Sequence, residues 1–445
     1  MGAPERGAHE RVKWELAIIA AALLAVAGVS RRLTGTSVTP AMAFVGIGLV
    51  AGPLVIGEVS PAPTRGTVRT LAEATLAVVL FADASRIKLH VLRREYTVPL
   101  RLLAIGLPLT IAVGAVVAAT VFNNLNGAEV VVLAVVLAPT DAALGQAVVT
   151  EPRLPSRIRQ GRNVESGLND GICVPLLLIA LAIADVDDKI ATSQHAVSIV
   201  AEEIGYGVVG GVAAGLAAAV IVAVGHRRDL ISGSWLQVIP VAGAGLAYGV
   251  AAALGGSGFI AAFLAGGIFG ALVPEESDQA SRLNEELGGL LGGVTFLIFG
   301  AVRLGPSLKH VSWQIALYAV LSLTLVRLLP VAIAMIGSDA KRQTVGFLGW
   351  FGPRGLASIV FAVIAVQEAH LTGAETILLT AYLTIGMSVL AHGVTAAPLA
   401  RRYARWYETH SRERRAAMES VPAPHHRPRG RPNPGPRAAR SSPSS

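Results

Sequence analysis

Runs of about twenty apolar residues, divided by short polar stretches, recur along nearly the whole chain. A helix of about 20 apolar residues crosses the roughly 30 Å hydrocarbon layer of a bilayer. Inside that layer no water satisfies the backbone, so a helix that bonds its own N–H and C=O groups is the form such a run takes. The expected fold class is therefore an all-α membrane protein. Charged residues make up only 15% of the chain, against about 25% in ordinary soluble domains. The 48 glycines suit helices that pack closely in lipid.

On this template the chain divides into thirteen segments: 14–30, 38–57, 67–85, 97–122, 128–150, 162–184, 196–225, 235–254, 256–274, 286–304, 311–337, 343–367 and 374–400. Residues 1–13 form a polar N-terminal tail. The first apolar run meets Arg31–Arg32 without a small-residue cleavage site and reads as a membrane helix rather than a removable signal. Counted in order, odd loops carry sixteen Lys and Arg, among them Arg86, Arg101, Arg162 and Arg282, and even loops carry five. The positive-inside rule then places odd loops and the C-terminus in the cytoplasm and the N-terminus outside. Residues 401–445 are rich in Arg, Pro and Ser and are expected to be a disordered basic tail whose Trp406 and Tyr407 rest on the anionic inner leaflet. The net charge of +8 is thus a topology signal and not a nucleic-acid footprint. A single cysteine, Cys173, excludes an internal disulfide framework and a cysteine metal site and reads as a small packing residue.

Four places break the apolar pattern. The fifth segment contains L-A-P-T-D-A-A-L-G, where Pro139 removes a backbone donor and Thr140 and Gly145 permit local unwinding beside Asp141. The sixth begins with E-S-G-L-N-D, Glu165 to Asp170. The eleventh contains Arg327. The twelfth contains G-P-R-G, Gly352 to Gly355. One ionised side chain at the bilayer centre costs about 2.5–3.5 kcal/mol on insertion scales, so each is a candidate functional position. Segments five and twelve, both interrupted by Pro and Gly beside a charge, are the pattern of discontinuous helices in a transporter built from inverted repeats.

The charges suggest roles. Glu165 and Asn169 share a helix face, while Asp170 is turned about 100° further. The buried carboxylates Glu165, Asp170 and Asp141 need a cation, and Arg327 and Arg354 are the available ones. One carboxylate is then left free. Desolvation favours the protonated form of a carboxylic acid, and hard monovalent cations seek oxygen ligands such as Asp170, Ser166, Thr140 and backbone carbonyls. A carboxylate that holds either a proton or a cation is the minimum machinery for exchange. Competing readings remain: Asp141 as a helix cap, Glu165 as a salt-bridge partner, Asp83 as an interfacial charge beside Arg86 and Lys88. Glu73, His195, Glu202, Glu203, His370 and His392 fall near segment ends and read as bland.

The stretch from Val135 to Pro175, with its T-D and E-S-x-x-N-D elements, together with the G-P-R-G motif and Arg327, resembles the cation:proton antiporter 1 family of sodium/proton exchangers. That resemblance implies a domain spanning 14–400, with core helices in about 97–184 and 311–400, dimerisation helices in about 14–85 and 196–304, and a homodimer in the plasma membrane. It implies that Asp170 exchanges Na⁺, or Li⁺, for H⁺, with K⁺/H⁺ exchange on the same fold as the alternative. Thr140, Ser166 and Asp141 would complete the ion shell, with Na⁺ held by Asp170, Ser166 and Thr140, and Asn169 in support. Glu165 would pair with Arg327, and Arg354 would stabilise the crossing of the broken helices. Asn169, where a second Asp could stand, implies electroneutral exchange. Asp83 stands where many members carry a glutamate ligand. A channel would need a continuous filter rather than one competing carboxylate. No nucleophile–base pair in the membrane, HExxH or nucleotide loop suggests an enzyme, and no catalytic residue, cofactor or nucleic-acid partner is implied.

Overall fold

The computed structural model describes residues 3–33, 36–52, 64–87, 97–141, 144, 153–187, 193–368 and 370–409. Every regular element among them is helical. The chain forms α1 (Ala3–Leu33), α2 (Pro40–Ala51), α3 (Thr64–Ser85), α4 (Thr97–Val121), α5 (Gly127–Val136), α6 (Ser156–Asp187), α7 (Ser193–Arg227), α8 (Gly233–Ala253), α9 (Gly258–Leu272), α10 (Pro274–Ile298), α11 (Trp313–Ala334), α12 (Arg342–Trp350), α13 (Leu356–Glu368) and α14 (Ala374–Thr409). Eight helices among the described residues are long and apolar enough to cross a membrane, and α2, α5, α9 and α13 are shorter apolar helices.

Several boundaries differ from the sequence expectation. Helix α1 begins at Ala3, inside the expected N-terminal tail. Helix α14 runs on to Thr409, because Tyr403 stacks on Phe347 with ring centroids 4.5 Å apart and Ala400 and Ala404 are buried. Residues 401–409 are thus helical, and 410–445 lie outside the described residues. So does the stretch 145–152, with the unwinding expected at Gly145.

Three interruptions were not anticipated, one of them a π-helical turn at Phe299–Leu304 directly after α10. Helix α4 contains a π-helical turn at Leu102–Gly106, and α11 breaks at Thr324, whose backbone (φ −113°, ψ −88°) leaves the helical region. Arg101, counted above as a loop charge, lies in α4, and its guanidinium donates to the carbonyls of Ala334, Ile336 and Gly337. It caps the last turn of α11, where orphan carbonyls and the negative helix end both favour a cation.

Packing relies on small residues rather than on large side chains. Gly266 and Gly270 bring α9 onto the backbone of α3 at Phe81 and Ser85, where a methyl group would lie 2.3 and 2.1 Å from the carbonyl oxygens. Lipid is as apolar as a leucine core, so close backbone approach and dispersion, not exclusion of water, hold such helices together. The alanines of α7, α8 and α9 extend this seam. The larger core joins α5, α6, α11, α13 and α14.

Candidate functional site

The site forms where α5, α6, α11 and the α12–α13 pair meet. Helix α5 is started by a capping box, with Asn126 and Glu129 satisfying each other's backbone N–H groups. It stops at Val136, ahead of Pro139, and residues through Asp141 are not helical. Helix α12 ends at Trp350, and Phe351 to Gly355 are unwound before α13 starts at Leu356.

The two breaks cross and satisfy each other. The Asp141 N–H donates to the Pro353 carbonyl at 2.8 Å. The Asp141 carboxylate accepts from the Leu356 N–H at 3.0 Å, placing a negative charge at the start of α13. Arg354, fully buried, donates from Nη1 to the carbonyls of Ala138 and Pro139 at 2.8 and 3.2 Å. Each helix end thus meets a charge opposite to its dipole. Gly355 permits the approach, since a Cβ there would lie 2.0 Å from Asp141 Oδ2. Asp141 therefore caps a helix, and it is half-buried beside the site.

Glu165 on α6 is almost fully buried and pairs with two arginines. Arg327 Nη2 donates to its Oε1 at 2.7 Å, and Arg162 Nη1 donates to its Oε2 at 2.8 Å. Arg327 reaches it past Gly352, where a Cβ would be 2.3 Å from Arg327 Nε. Arg162 corrects the sequence reading. It is not a loop charge but 3% exposed, one helical turn before Glu165. The i,i+3 spacing to Glu165 was the available signal.

Ser166, next to Glu165, and Asn169 and Asp170, one turn further along α6, are all buried. The Thr140 hydroxyl lies 3.2 Å from that of Ser166 and accepts from Asn169 Nδ2 at 3.1 Å. Asn169 Oδ1 accepts in turn from Cys173 Sγ at 3.6 Å. A hydroxyl oxygen has two lone pairs; Asn169 uses one on Thr140, and the other faces Ser166. Asp170 is 7% exposed, and its Oδ1 makes no hydrogen bond among the described residues. A buried polar atom left without a partner costs about 1–3 kcal/mol. The next residue, Gly171, faces the ring of Phe263 on α9, which a Cβ at 171 would meet at 2.6 Å.

Asp83 reaches the edge of this site from α3. Its Cβ lies 3.3 Å from the position a Cβ on Gly167 would take, next to Ser166. Its carboxylate is 3.9 Å from Arg86.

Two residues read as bland have defined places. Glu73 accepts from the Tyr248 hydroxyl at 3.0 Å, tying α3 to α8. His392 on α14 is 1% exposed, with Nε2 2.9 Å from the Trp350 carbonyl and Nδ1 3.1 Å from the Ser388 hydroxyl, which itself accepts from the Arg354 N–H at 2.7 Å. The Trp350 carbonyl only accepts, so that contact needs a proton on Nε2, while Nδ1 lies between the Ser388 hydroxyl and the Ser388 carbonyl, the latter 3.0 Å away. Glu129, which the sequence reading passed over, is also buried; it accepts from the Thr372 hydroxyl and the Gly373 N–H.

Two unwound helices crossing beside a buried acidic site define a multi-pass membrane protein of the discontinuous-helix transporter type. The chain belongs to the family described as sodium/hydrogen exchanger, transmembrane, which matches residues 18–402. It is 25% identical over 395 residues to the K⁺/H⁺ antiporter NhaP2 of Shewanella sp. (strain ANA-3), covering 86% of this chain and 66% of that protein. It is 23% identical over 340 residues to the probable Na⁺/H⁺ antiporter C3A11.09 of Schizosaccharomyces pombe (strain 972), covering 72% of this chain and 44% of that protein. The chain thus spans less than two thirds of the length of these relatives. Its fold is similar to that of the sodium proton antiporter MjNhaP1 of Methanocaldococcus jannaschii, solved at pH 8, with a TM-score of 0.72, 18% identity, and coverage of 86% of this chain and 98% of that one.

Proposed function

We propose that this chain exchanges Na⁺ for H⁺ across the plasma membrane, one for one, by competition of the two ions for Asp170 with alternating access. The observation that carries this reading is the buried, unpartnered Asp170 oxygen beside the Thr140–Ser166 hydroxyl pair. A cation there would find one carboxylate and two hydroxyl oxygens, the ligand set that a hard ion prefers. A proton on Asp170 would satisfy the same oxygen and displace it. The neutral Asn169 keeps the site to a single exchanging charge. Asp141 and Asp83 stand at the edge of the ion shell, and Glu165, Arg162, Arg327 and Arg354 hold the frame around it.

On this reading the chain makes thirteen crossings in two inverted repeats, as a homodimer with the N-terminus outside and the C-terminus in the cytoplasm. The similarity to MjNhaP1, named a sodium proton antiporter, supports it. The test is Na⁺-driven proton movement in proteoliposomes. Asp170→Asn is expected to abolish it while the protein remains folded; undiminished exchange in that variant removes Asp170 from the mechanism.

A second reading, K⁺/H⁺ exchange by the same oxygens, is favoured by the naming of the Shewanella relative as a K⁺/H⁺ antiporter. Everted vesicles challenged with Na⁺, Li⁺ and K⁺ over a pH series separate the two. A response to K⁺ that exceeds the response to Na⁺ replaces the first reading with the second.

A further inference from the structure

Arg86, at the end of α3, stands between two carboxylates. Asp83 lies one turn back on its own helix, with Nη1 to Oδ1 at 3.9 Å. Glu285 comes from α10, and the fork of Arg86 engages both of its oxygens, Nε on one and Nη2 on the other. The fork made by Nε and Nη2 is the side-on, bidentate face of the guanidinium. Glu285 occupies that face, which leaves Asp83 only the edge contact.

This division matters because of where Asp83 is. It is packed against Gly167, next to Ser166, and its carboxylate is 24% exposed. The charges acting on it come from three elements: Arg86 on its own helix, Asp141 at the crossing and Glu285 on α10. Only Arg86 among these is a cation. If Arg86 turned its fork to Asp83, the carboxylate would be neutralised and its oxygens used. With Arg86 held by Glu285, Asp83 presents a negative, half-buried oxygen pair at the edge of the ion site. Arg86 and Glu285 are 39% and 34% exposed, and exposed ion pairs exchange partners at small cost.

We propose that Glu285 is a positioning residue that sets cation affinity by keeping Arg86 off Asp83. The inference rests on the exchange reading above. Among the described residues Glu285 makes no hydrogen bond or ion pair with the Thr140–Ser166–Asp170 cluster; its bonded route to Asp83 runs through Arg86.

The test is cation-dependent proton exchange in proteoliposomes, with KM and maximal rate read separately for Na⁺ and K⁺. Glu285→Gln is expected to raise the cation KM about fivefold, the scale of one exposed ion pair, with the maximal rate unchanged. Adding Arg86→Gln is expected to return KM to the parent value, since no cation is then left to occupy Asp83. An unchanged maximal rate in the single variant shows that it is folded. In an Asp83→Asn background, Glu285→Gln should change nothing further. An unchanged KM in Glu285→Gln, or a double variant as impaired as the single one, overturns the proposal while leaving the exchange reading intact. A parent protein that moves no protons with any of Na⁺, Li⁺ or K⁺ overturns the exchange reading, and this inference with it.

Discussion

The N–H of Asp141 donates to the carbonyl of Pro353 at 2.8 Å, so the two interrupted helices are joined backbone to backbone where they cross. This bond, the Asp141 carboxylate on Leu356 N–H and Arg354 on the Ala138 and Pro139 carbonyls form one set. Side chains at a single point supply what the missing helical turns would have supplied.

The crossing should fail when it is separated sterically. Gly355→Ala places a methyl 2.0 Å from Asp141 Oδ2. It is expected to lower the melting temperature in detergent and to abolish exchange. Asp141→Ala leaves the Leu356 N–H without its acceptor, at a cost of about 1–3 kcal/mol. Asp141→Asn keeps an acceptor oxygen and should be the milder change. The melting temperatures of the three variants should rank accordingly.

Glu165 should be less dispensable than either of its partners. Glu165→Ala leaves both Arg162 and Arg327 unpaired among buried residues, and removing one partner of a buried pair costs about 3–5 kcal/mol. Arg162→Met removes a charge yet leaves Glu165 its 2.7 Å bond to Arg327. Thermal unfolding of purified protein should show a large loss for the first and a smaller one for the second. Equal losses would mean that Arg162 is as necessary as the carboxylate it serves.

Much of this frame was legible in the sequence because the cost of a charge in hydrocarbon makes each exception visible. Thr140, Asp141, Glu165, Asp170, Arg327 and Arg354 were each found by interrupting an apolar run. Arg162 was missed for the same reason: it precedes the apolar run of α6 and is indistinguishable by composition from Arg153 and Arg159 beside it. His392 was missed because its partners, Trp350 and Ser388, are set by tertiary packing and not by spacing along the chain. The break at Thr324 carries neither Pro nor Gly, so local chemistry gave no signal of it.

Asn169 should act through Thr140. Its Nδ2 fixes the Thr140 oxygen at 3.1 Å, and Asn169→Ala would free that hydroxyl to rotate away from Ser166. The expected result is a rise of about tenfold in the cation KM, equivalent to about 1.4 kcal/mol, with the fold retained. A variant that binds the cation as well as the parent would remove Asn169 from the positioning of the site.

His392 links α14 to both sides of the α12–α13 break, through Trp350 directly and through Ser388 to Arg354. His392→Leu removes these contacts at about 1–2 kcal/mol, and His392→Gln, with a donor and an acceptor on one flat group, should recover part of the loss. Melting curves of the two variants side by side check this; equal loss in both would show that ring volume, not hydrogen bonding, is what the position needs.

The contact between Gly171 and the Phe263 ring brings only carbon and hydrogen together, immediately beside Asp170. Every bond that holds the site's oxygens runs instead among α5, α6 and the crossing. Moving that assembly along α9 at this point would break no polar bond and strand no charge. The polar run of α6 thus ends at Asp170, and the very next residue meets α9 through carbon alone.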